Sequence, residues 1–481
     1  MKVHTILFLA AIAMVLTCRN SVAQSLFAPA VNYTVGARCY VIASADFDGD
    51  GDVDLAASSD DESWVSILLN NGQGTFSVDS SYTVGNTPGG IVAADFDNDG
   101  DIDLAVTHYG GSELYILLND SHGMFVIDST YETGGLNSHK SCAGDFDKDG
   151  DLDLAIPNSG SANVAIMVNN GNGVFADPVL YSTGSFPYTA ITDDIDGDAD
   201  LDLVVVNNGS WSVGVFLNNG TGVFGARVDY PVGNKGQSPS LADFDKDGHL
   251  DLAVPNAHSN TPFVSVLRGK GDGTFHPKVD LPGCRPHTVT SADYNGDGNL
   301  DMAVADNECN SVSVFLGNGD STFQSRVAFN VGIGPNTTLT SDFDGDGDLD
   351  LAAANFDNNG LPGNGVSILM NNTLVSVQQI TPDRIPSFAL ESNYPNPFNP
   401  STKIGFKLPA RTTQAGGQAS GFTSLRIFDL LGHEVATLVN EELRPGSYEV
   451  SWEASGFPSG TYFYTLTSGA FTETKKLLLL K

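Results

Sequence analysis

From residue 27 to about 372 the apolar residues come in short runs broken by Asp-, Asn- and Gly-rich turns. "WVSILLNNGQGTF", "ELYILLNDSHGMF", "NVAIMVNNGNGVF", "SVGVFLNNGTGVF" and "FVSVLRGKGDGTF" repeat one design, an apolar run closing in a glycine turn and a phenylalanine. Asn-Gly turns between apolar runs are strong hairpin signals. Four strands are predicted per unit. Strand A runs into an aspartate-rich loop, a "DLAVA"-like strand B leaves it, a "VSILL"-like strand C follows, and strand D starts after the turn, from the Phe. Strands A to C are apolar almost throughout, as expected of sheets covered on both faces.

The aspartate loops fix the period. "DFDGDGDVD" from Asp46 returns as "DFDNDGDID" from Asp95, "DFDKDGDLD" from Asp145, "DIDGDADLD" from Asp194, "DFDKDGHLD" from Asp243, "DYNGDGNLD" from Asp293 and "DFDGDGDLD" from Asp342. Successive first aspartates are 49 or 50 residues apart, and a glycine stands ten residues before each of them, from Gly36 to Gly332. Repeated four-stranded units of this length predict an all-β fold, a seven-bladed β-propeller in which each sheet buries its faces on its neighbours. The last unit, "GVSILMNNTLVS", lacks the Phe-led ending of the others, whereas "LFAPAVNYTVG" at residues 26–36 matches "TFSVDSSYTVG" at 75–85. The N-terminal segment is therefore expected to supply the missing strand D and close the ring.

The loop begins as an EF-hand does, with oxygen ligands at positions 1, 3 and 5 and a glycine at 6. It then departs, because position 12 from Asp46 is Ala57 rather than glutamate, and the sequence continues as a strand. Seven such loops in phase resemble the FG-GAP or VCBS repeats of integrin α-subunit propellers and bacterial surface proteins. That resemblance implies calcium in each A–B loop, held in the first by Asp46, Asp48, Asp50, the carbonyl of Asp52 and Asp54. In the same register the ligand positions are Asp95, Asp97, Asp99, Asp101 and Asp103, then Asp145, Asp147, Asp149, Asp151 and Asp153, then Asp194, Asp196, Asp198, Asp200 and Asp202. They continue as Asp243, Asp245, Asp247, His249 and Asp251, then Asp293, Asn295, Asp297, Asn299 and Asp301, and finally Asp342, Asp344, Asp346, Asp348 and Asp350. Oxygen-only ligands suit a hard cation, and so many carboxylates favour Ca2+ over Mg2+, mainly in a structural role. Two loops depart. The fourth has Ala199 where glycine takes the left-handed conformation, a cost of roughly 1 kcal/mol. The sixth keeps three carboxylates.

Charge agrees with this reading. The chain of 481 residues has 58 acidic and 22 basic side chains, and 32 of the acids are loop aspartates. The formal charge of −36 makes nucleic acid a poor partner, and seven divalent ions would bring it to −22.

Outside the repeats, residues 1–23 read as a signal peptide: Lys2 and His4, the apolar "TILFLAAIAMVLT", and "SVA" ending at Ala23. Cys18 after threonine fits a lipoprotein signal poorly. No other segment reaches the ~20 apolar residues of a transmembrane helix, so none is expected in the mature chain. Four cysteines remain, and Cys284 and Cys309 fall on connections at one face of the sixth unit, where a disulfide can join them. Residues 24–374 are read as the propeller, 375–390 as a linker and 391–481 as a small antiparallel sandwich of alternating strands. "YPNPFNPST" and the closing "KKLLLLK" resemble the C-terminal sorting domain of type IX secretion, itself similar to immunoglobulin-like domains. The resemblance implies the type IX machinery as a partner and a secreted or cell-surface destination.

No nucleophile elbow, Walker loop or zinc-protease helix is present: "HEVAT" at His433 lacks the second histidine, and no catalytic or organic-cofactor residue is assigned. The face opposite the loops, made of D–A and B–C connections, gathers Arg38, Tyr40, His108, Tyr109, His139, Lys140, Phe186, Tyr188, Trp211, His258, Arg285 and His287. These residue types suit recognition of an extracellular glycan or protein. The favoured function is a non-catalytic adhesion or ligand-binding module. The alternative is a carbohydrate-active enzyme, such as a polysaccharide lyase, on the same face.

Overall fold

The computed structural model describes residues 26–480, apart from 61–62, 86, 258–261, 359–360, 372–377, 382–387, 409–410, 413–417, 420, 444–445, 455–456 and 470. The expected signal segment and His258 lie outside the described residues. The fold is all-β and propeller-like. Among the described residues the helical content is one short 3-10 turn, Asn307–Cys309, and no helix is long and apolar enough to cross a membrane.

Each repeat forms one four-stranded antiparallel sheet in chain order, as in the first, with strands A Cys39–Ala45, B Asp54–Ser59, C Trp64–Asn70 and D Phe76–Thr83. Strand B is buried at every position, since it lies inside its sheet with a neighbouring sheet on either face. The exception to chain order is the sheet holding Pro335–Ser341, Asp350–Asn358 and Leu361–Leu369. Its outer strand is Val31–Thr34, with Val31 opposite Ile368 and Thr34 opposite Gly365.

Seven apolar clusters lie between successive sheets, and one of them joins the last sheet to the first. In that one, Val35, Ile42, Leu68 and Phe76 pack on Phe343, Ala352, Val366 and Ile368. The contacts share one motif. In six of them the aromatic residue at loop position 2 meets, edge to face, a phenylalanine at or just before the start of the neighbouring strand D, as Phe47 with Phe125 at 5.6 Å, Phe146 with Phe224 at 5.5 Å and Phe343 with Phe76 at 5.4 Å. In the fourth loop Ile195 holds the position and packs with Phe275. Tyr294 of the sixth sheet meets Phe27 at 5.8 Å, so the N-terminal segment brings its own phenylalanine along with its strand.

Two boundaries differ from those read in the sequence. In the third to sixth sheets strand D starts at Val179, Val228, Val279 and Val327, and the preceding phenylalanine makes only an isolated bridge. Pro178 and Pro277, which have no N–H to donate, stand in two of these gaps. Within 375–390, read as a linker, Gln378–Thr381 and Ala389–Leu390 pair with Gly446–Glu453 and Ser401–Leu408. Those four strands make one sheet of the C-terminal unit. Glu434–Leu443, Gly421–Phe428, Gly460–Ser468 and Phe471–Leu479 make the other, and both share one core that includes Phe398, Ile404, Trp452 and Tyr464. The closing leucines alternate, so that Leu477 and Leu479 are buried in it.

Candidate metal loops and the axial face

Each A–B loop is wound around its first aspartate. Asp46 accepts the N–H of Gly49 on one carboxylate oxygen (2.8 Å) and that of Gly51 on the other (2.9 Å). The side chains at positions 3 and 5 each accept the N–H two residues on, Asp48 from Asp50 at 3.2 Å and Asp50 from Asp52 at 2.9 Å. These Asx turns turn the remaining oxygens inward. One carboxylate oxygen from each of Asp46, Asp48 and Asp50 lies within 4.8 Å of the others, and the triads at Asp95, Asp145 and Asp243 repeat this. In the fourth loop the group is Asp194, Asp196 and Asp202.

Such crowding of like charge is repulsive, and some of the oxygens have no hydrogen-bond partner. The Oδ1 atoms of Asp95, Asp196 and Asp245 are buried without one. Burial, then the neighbouring aspartates, pushes Asp97 and Asp196 above the ordinary carboxylate range. Convergent, partnerless carboxylate oxygens are the donor set of a hard divalent cation, and the loops fit one.

The other ligand positions behave differently. The position-9 aspartates are fully buried, and Asp54 accepts the N–H of Phe47 at 3.0 Å and of Asn70 at 2.7 Å. Burial pushes Asp54 up to about 6 and Asp153 up to about 7. Position 9 therefore ties the loop to the C–D turn of its own sheet, and in the fourth loop it also joins the convergent group. At position 7 the side chains turn outward: those of Asp52, Asp151 and Asp200 lie against Gly72, Gly171 and Gly220 of the C–D turns. That leaves the position-7 carbonyl as the group available to an ion. Three of these outward side chains receive a donor from position 4 of the preceding loop. Asn98 donates to Asp151 at 2.7 Å, Lys148 pairs with Asp200, and Lys246 donates to Asn299 at 2.7 Å. Ala199 has φ +68°, so the fourth loop carries the strained conformation expected of it.

One recurrent residue escaped the sequence reading. Asn119, taken only as a turn residue, donates its amide to the carbonyl of Phe47 in the preceding sheet (2.8 Å) and to Ile102 of its own (3.1 Å). Asn70, Asn169, Asn218 and Asn371 repeat this. In the fifth and sixth sheets Gly269 and Gly317 take the position, where a Cβ would lie 2.2 Å from the carbonyl of Leu250 or Leu300. The available signal was the asparagine that closes the C run before the turn, followed by a second asparagine in four repeats and by Asp120 after Asn119.

At the other end of the A strands the repeats converge. Residues in one register are Tyr40, Gly89, His139, Tyr188, Gln237, His287 and Asn336, and the next residues are Val41, Gly90, Lys140, Thr189, Ser238, Thr288 and Thr337. Side chains from these rows meet across sheets. The Tyr40 and Tyr188 hydroxyls are hydrogen-bonded between the first and fourth sheets. Lys140 of the third donates to Ser238 of the fifth (3.0 Å) and to Thr337 of the seventh (2.9 Å), with the Tyr40 ring 5.6 Å away.

Aromatic contacts continue outward. His139 lies 4.6 Å from both Tyr109 and Tyr188 and 5.7 Å from Phe186, while Tyr40 meets Phe356 at 5.1 Å under the Arg38 guanidinium. His287 lies 2.6 Å from Asn336, and His108 lies 3.3 Å from Glu113. Tyr109 and Trp211, on B–C connections of the second and fourth sheets, are 40% and 55% exposed. Arg38, Phe186 and Arg285 stand two residues before the axial row with φ of +55° to +56°, strained conformations for side chains of this size. Beside Arg285, Cys284 is disulfide-bonded to Cys309, as the spacing allowed.

Comparison with known proteins places this geometry. The FG-GAP-like repeat model matches at 46–106, 95–156, 145–205, 194–254 and 293–353, more than half of the chain and all seven loops. The model of the secretion system C-terminal sorting domain matches 392–480. No curated protein matches the chain. Among solved structures, BBS1N in complex with ARL6DN is similar over 72% of this chain and 98% of that one, at 15% identity and a TM-score of 0.50, a likeness of fold alone. The periplasmic gluconolactonase of Pseudomonas aeruginosa is similar over 59% of this chain and 84% of its own, at 15% identity and a TM-score of 0.46. The chain belongs to the FG-GAP-like repeat family and carries a C-terminal sorting domain that directs it out of the cell by type IX secretion.

Proposed function

We propose that the mature protein is a closed seven-bladed propeller with calcium in its A–B loops, followed by an immunoglobulin-like sorting domain. It acts outside the cell as a non-catalytic binding module for a glycan or protein. The convergence at the axial mouth carries this reading. Side chains of the first, second, third, fourth and seventh sheets join there in one run, Tyr109, His139, Tyr188, Tyr40 and Phe356, through ring contacts and the Tyr188–Tyr40 hydroxyl bond, and Trp211 on a B–C connection of the same face is exposed. Aromatic groups with a few polar partners, set on rigid sheets, are the makings of a recognition surface. Calcium at the opposite ends of the same strands supports that surface without touching the ligand.

The test is a glycan array and a panel of extracellular proteins probed with the calcium-loaded protein, alongside the Tyr109→Ala/Trp211→Ala double variant. Binding that the double variant loses supports the reading. Turnover of a bound polysaccharide would move it to the enzymatic alternative, and a ligand held equally by parent and variant would place recognition elsewhere on the molecule.

A further inference from the structure

The floor of the axial mouth holds polar groups whose bonding is incomplete. Lys140 is 8% exposed, and of the three N–H bonds of its ammonium two go to Ser238 and Thr337. Its partners are neutral. Asp60, the carboxylate whose field reaches Tyr40 and Tyr188, is itself paired with Arg38 at 3.7 Å. Burial alone pushes Lys140 down to about 7. Beside it His139, 3% exposed, has neither ring nitrogen hydrogen-bonded among the described residues, and Gln237, 5% exposed, has its Oε1 buried without a partner among them.

Leaving such groups unmatched costs stability, and apolar side chains of similar volume would remove the cost. The three residues come from two sheets that Lys140 itself connects, since it bonds Ser238, the residue next to Gln237, while His139 is its own chain neighbour. Together they specify a complement. The buried ammonium calls for an anion, and the Gln237 oxygen, which can only accept, calls for a donor beside it. An aspartate or glutamate side chain supplies the first and not the second, whereas a sugar acid carries carboxylate and hydroxyl on one ring. Tyr109 and Phe186, in contact with His139, flank the place with ring faces suited to the apolar side of a sugar. The acid of the chain itself lies mainly at the far ends of the A strands, in the aspartate loops.

We propose that the axial mouth binds a carboxylated sugar residue of an acidic polysaccharide: Lys140 takes the carboxylate, Gln237 and His139 take neighbouring hydroxyls, and Tyr109 and Phe186 flank the ring. This inference rests on the reading that the face takes an extracellular ligand and names the ligand's class.

Titration calorimetry on the full calcium-loaded chain tests it, using oligosaccharides of galacturonate, alginate and hyaluronan, with dextran oligosaccharides and a poly-aspartate peptide as contrasts. At least one acidic oligosaccharide is expected to bind ten-fold or more tightly than dextran and the peptide. Lys140→Met should weaken it at least ten-fold while the melting temperature stays level or rises. Gln237→Leu, which leaves the lysine in place, should weaken it several-fold and serves if Lys140→Met fails to fold. The proposal is overturned if no acidic oligosaccharide binds, if dextran or poly-aspartate binds as well, or if affinity survives in the folded variants. A neutral glycan or a protein bound through Tyr109 and Trp211 would overturn this inference and leave the broader binding function standing.

Discussion

Removing calcium should destabilise the propeller strongly, and the size of the effect should depend on pH with a definite sign. At ~1 mM calcium and a Kd of ~10⁻⁴ M, each loop gains about 1.4 kcal/mol, and seven gain about 10. At about 2.1 cal/mol/K per residue, unfolding some 350 residues means a loss of roughly 14 °C in melting temperature on chelation. Without metal, the aspartate triads within 4.8 Å repel one another, and the buried position-9 groups sit above their unfolded values, Asp54, Asp103 and Asp202 at about 6 and Asp153 and Asp350 at about 7. A raised folded pKa means that the folded state binds more protons than the unfolded chain between about 4 and 7. The metal-free protein should therefore gain stability as pH falls from 8 to 5. The calcium-loaded protein should lose it over the same interval, because protons displace the ion. Scanning calorimetry at pH 8, 6.5 and 5, in calcium and in chelator, gives the comparison. High salt should not replace calcium, since it screens repulsion without supplying inner-sphere bonds. Equal melting temperatures in calcium and chelator would refute the metal reading, and a metal-free protein that weakens toward pH 5 would refute the electrostatic account of the loops.

Deleting residues 24–36 removes Phe27 and the strand Val31–Thr34, so the last sheet should lose its outer strand and the melting temperature should fall steeply. A truncated protein melting like the parent would count against ring closure. Asn119→Ala leaves the buried carbonyl of Phe47 without its partner and should cost about 2 kcal/mol in denaturant unfolding, whereas a surface turn asparagine such as Asn172 should cost under about 0.5 kcal/mol. Ala199→Gly relieves the φ of +68° and should stabilise the protein by up to about 1 kcal/mol and raise the calcium affinity of the fourth loop, read by site-resolved titration. Asp46→Ala should remove one calcium per chain by equilibrium dialysis and cost on the order of 1 kcal/mol at millimolar calcium, with Asp293→Ala in the sixth loop costing less.

The repeat made much of this molecule legible in its sequence. A period of 49 or 50 residues identified the unit, alternation of apolar runs and Asn-Gly turns identified its four strands, and the mismatch between the two ends of the array placed Val31–Thr34 in the last sheet. The Asx turns were implied by aspartates at every second position, because local hydrogen bonds within nine residues depend on local sequence alone. Even the strain at Ala199 could be read one residue at a time.

What needed the tertiary structure was every contact between repeats. Asn119 reaches a carbonyl 72 residues away, and Lys140 reaches hydroxyls 98 and 197 residues away. Such distances become short only when the sheets close on one another. The outward turn of the position-7 side chains was likewise settled by the neighbouring C–D turns. The sequence could group Tyr40, His139, Lys140 and Tyr188 on one face by register. Packing alone determined which of them satisfy each other, and that His139, with Gln237 which the sequence had not singled out, is left with polar atoms that no group among the described residues completes.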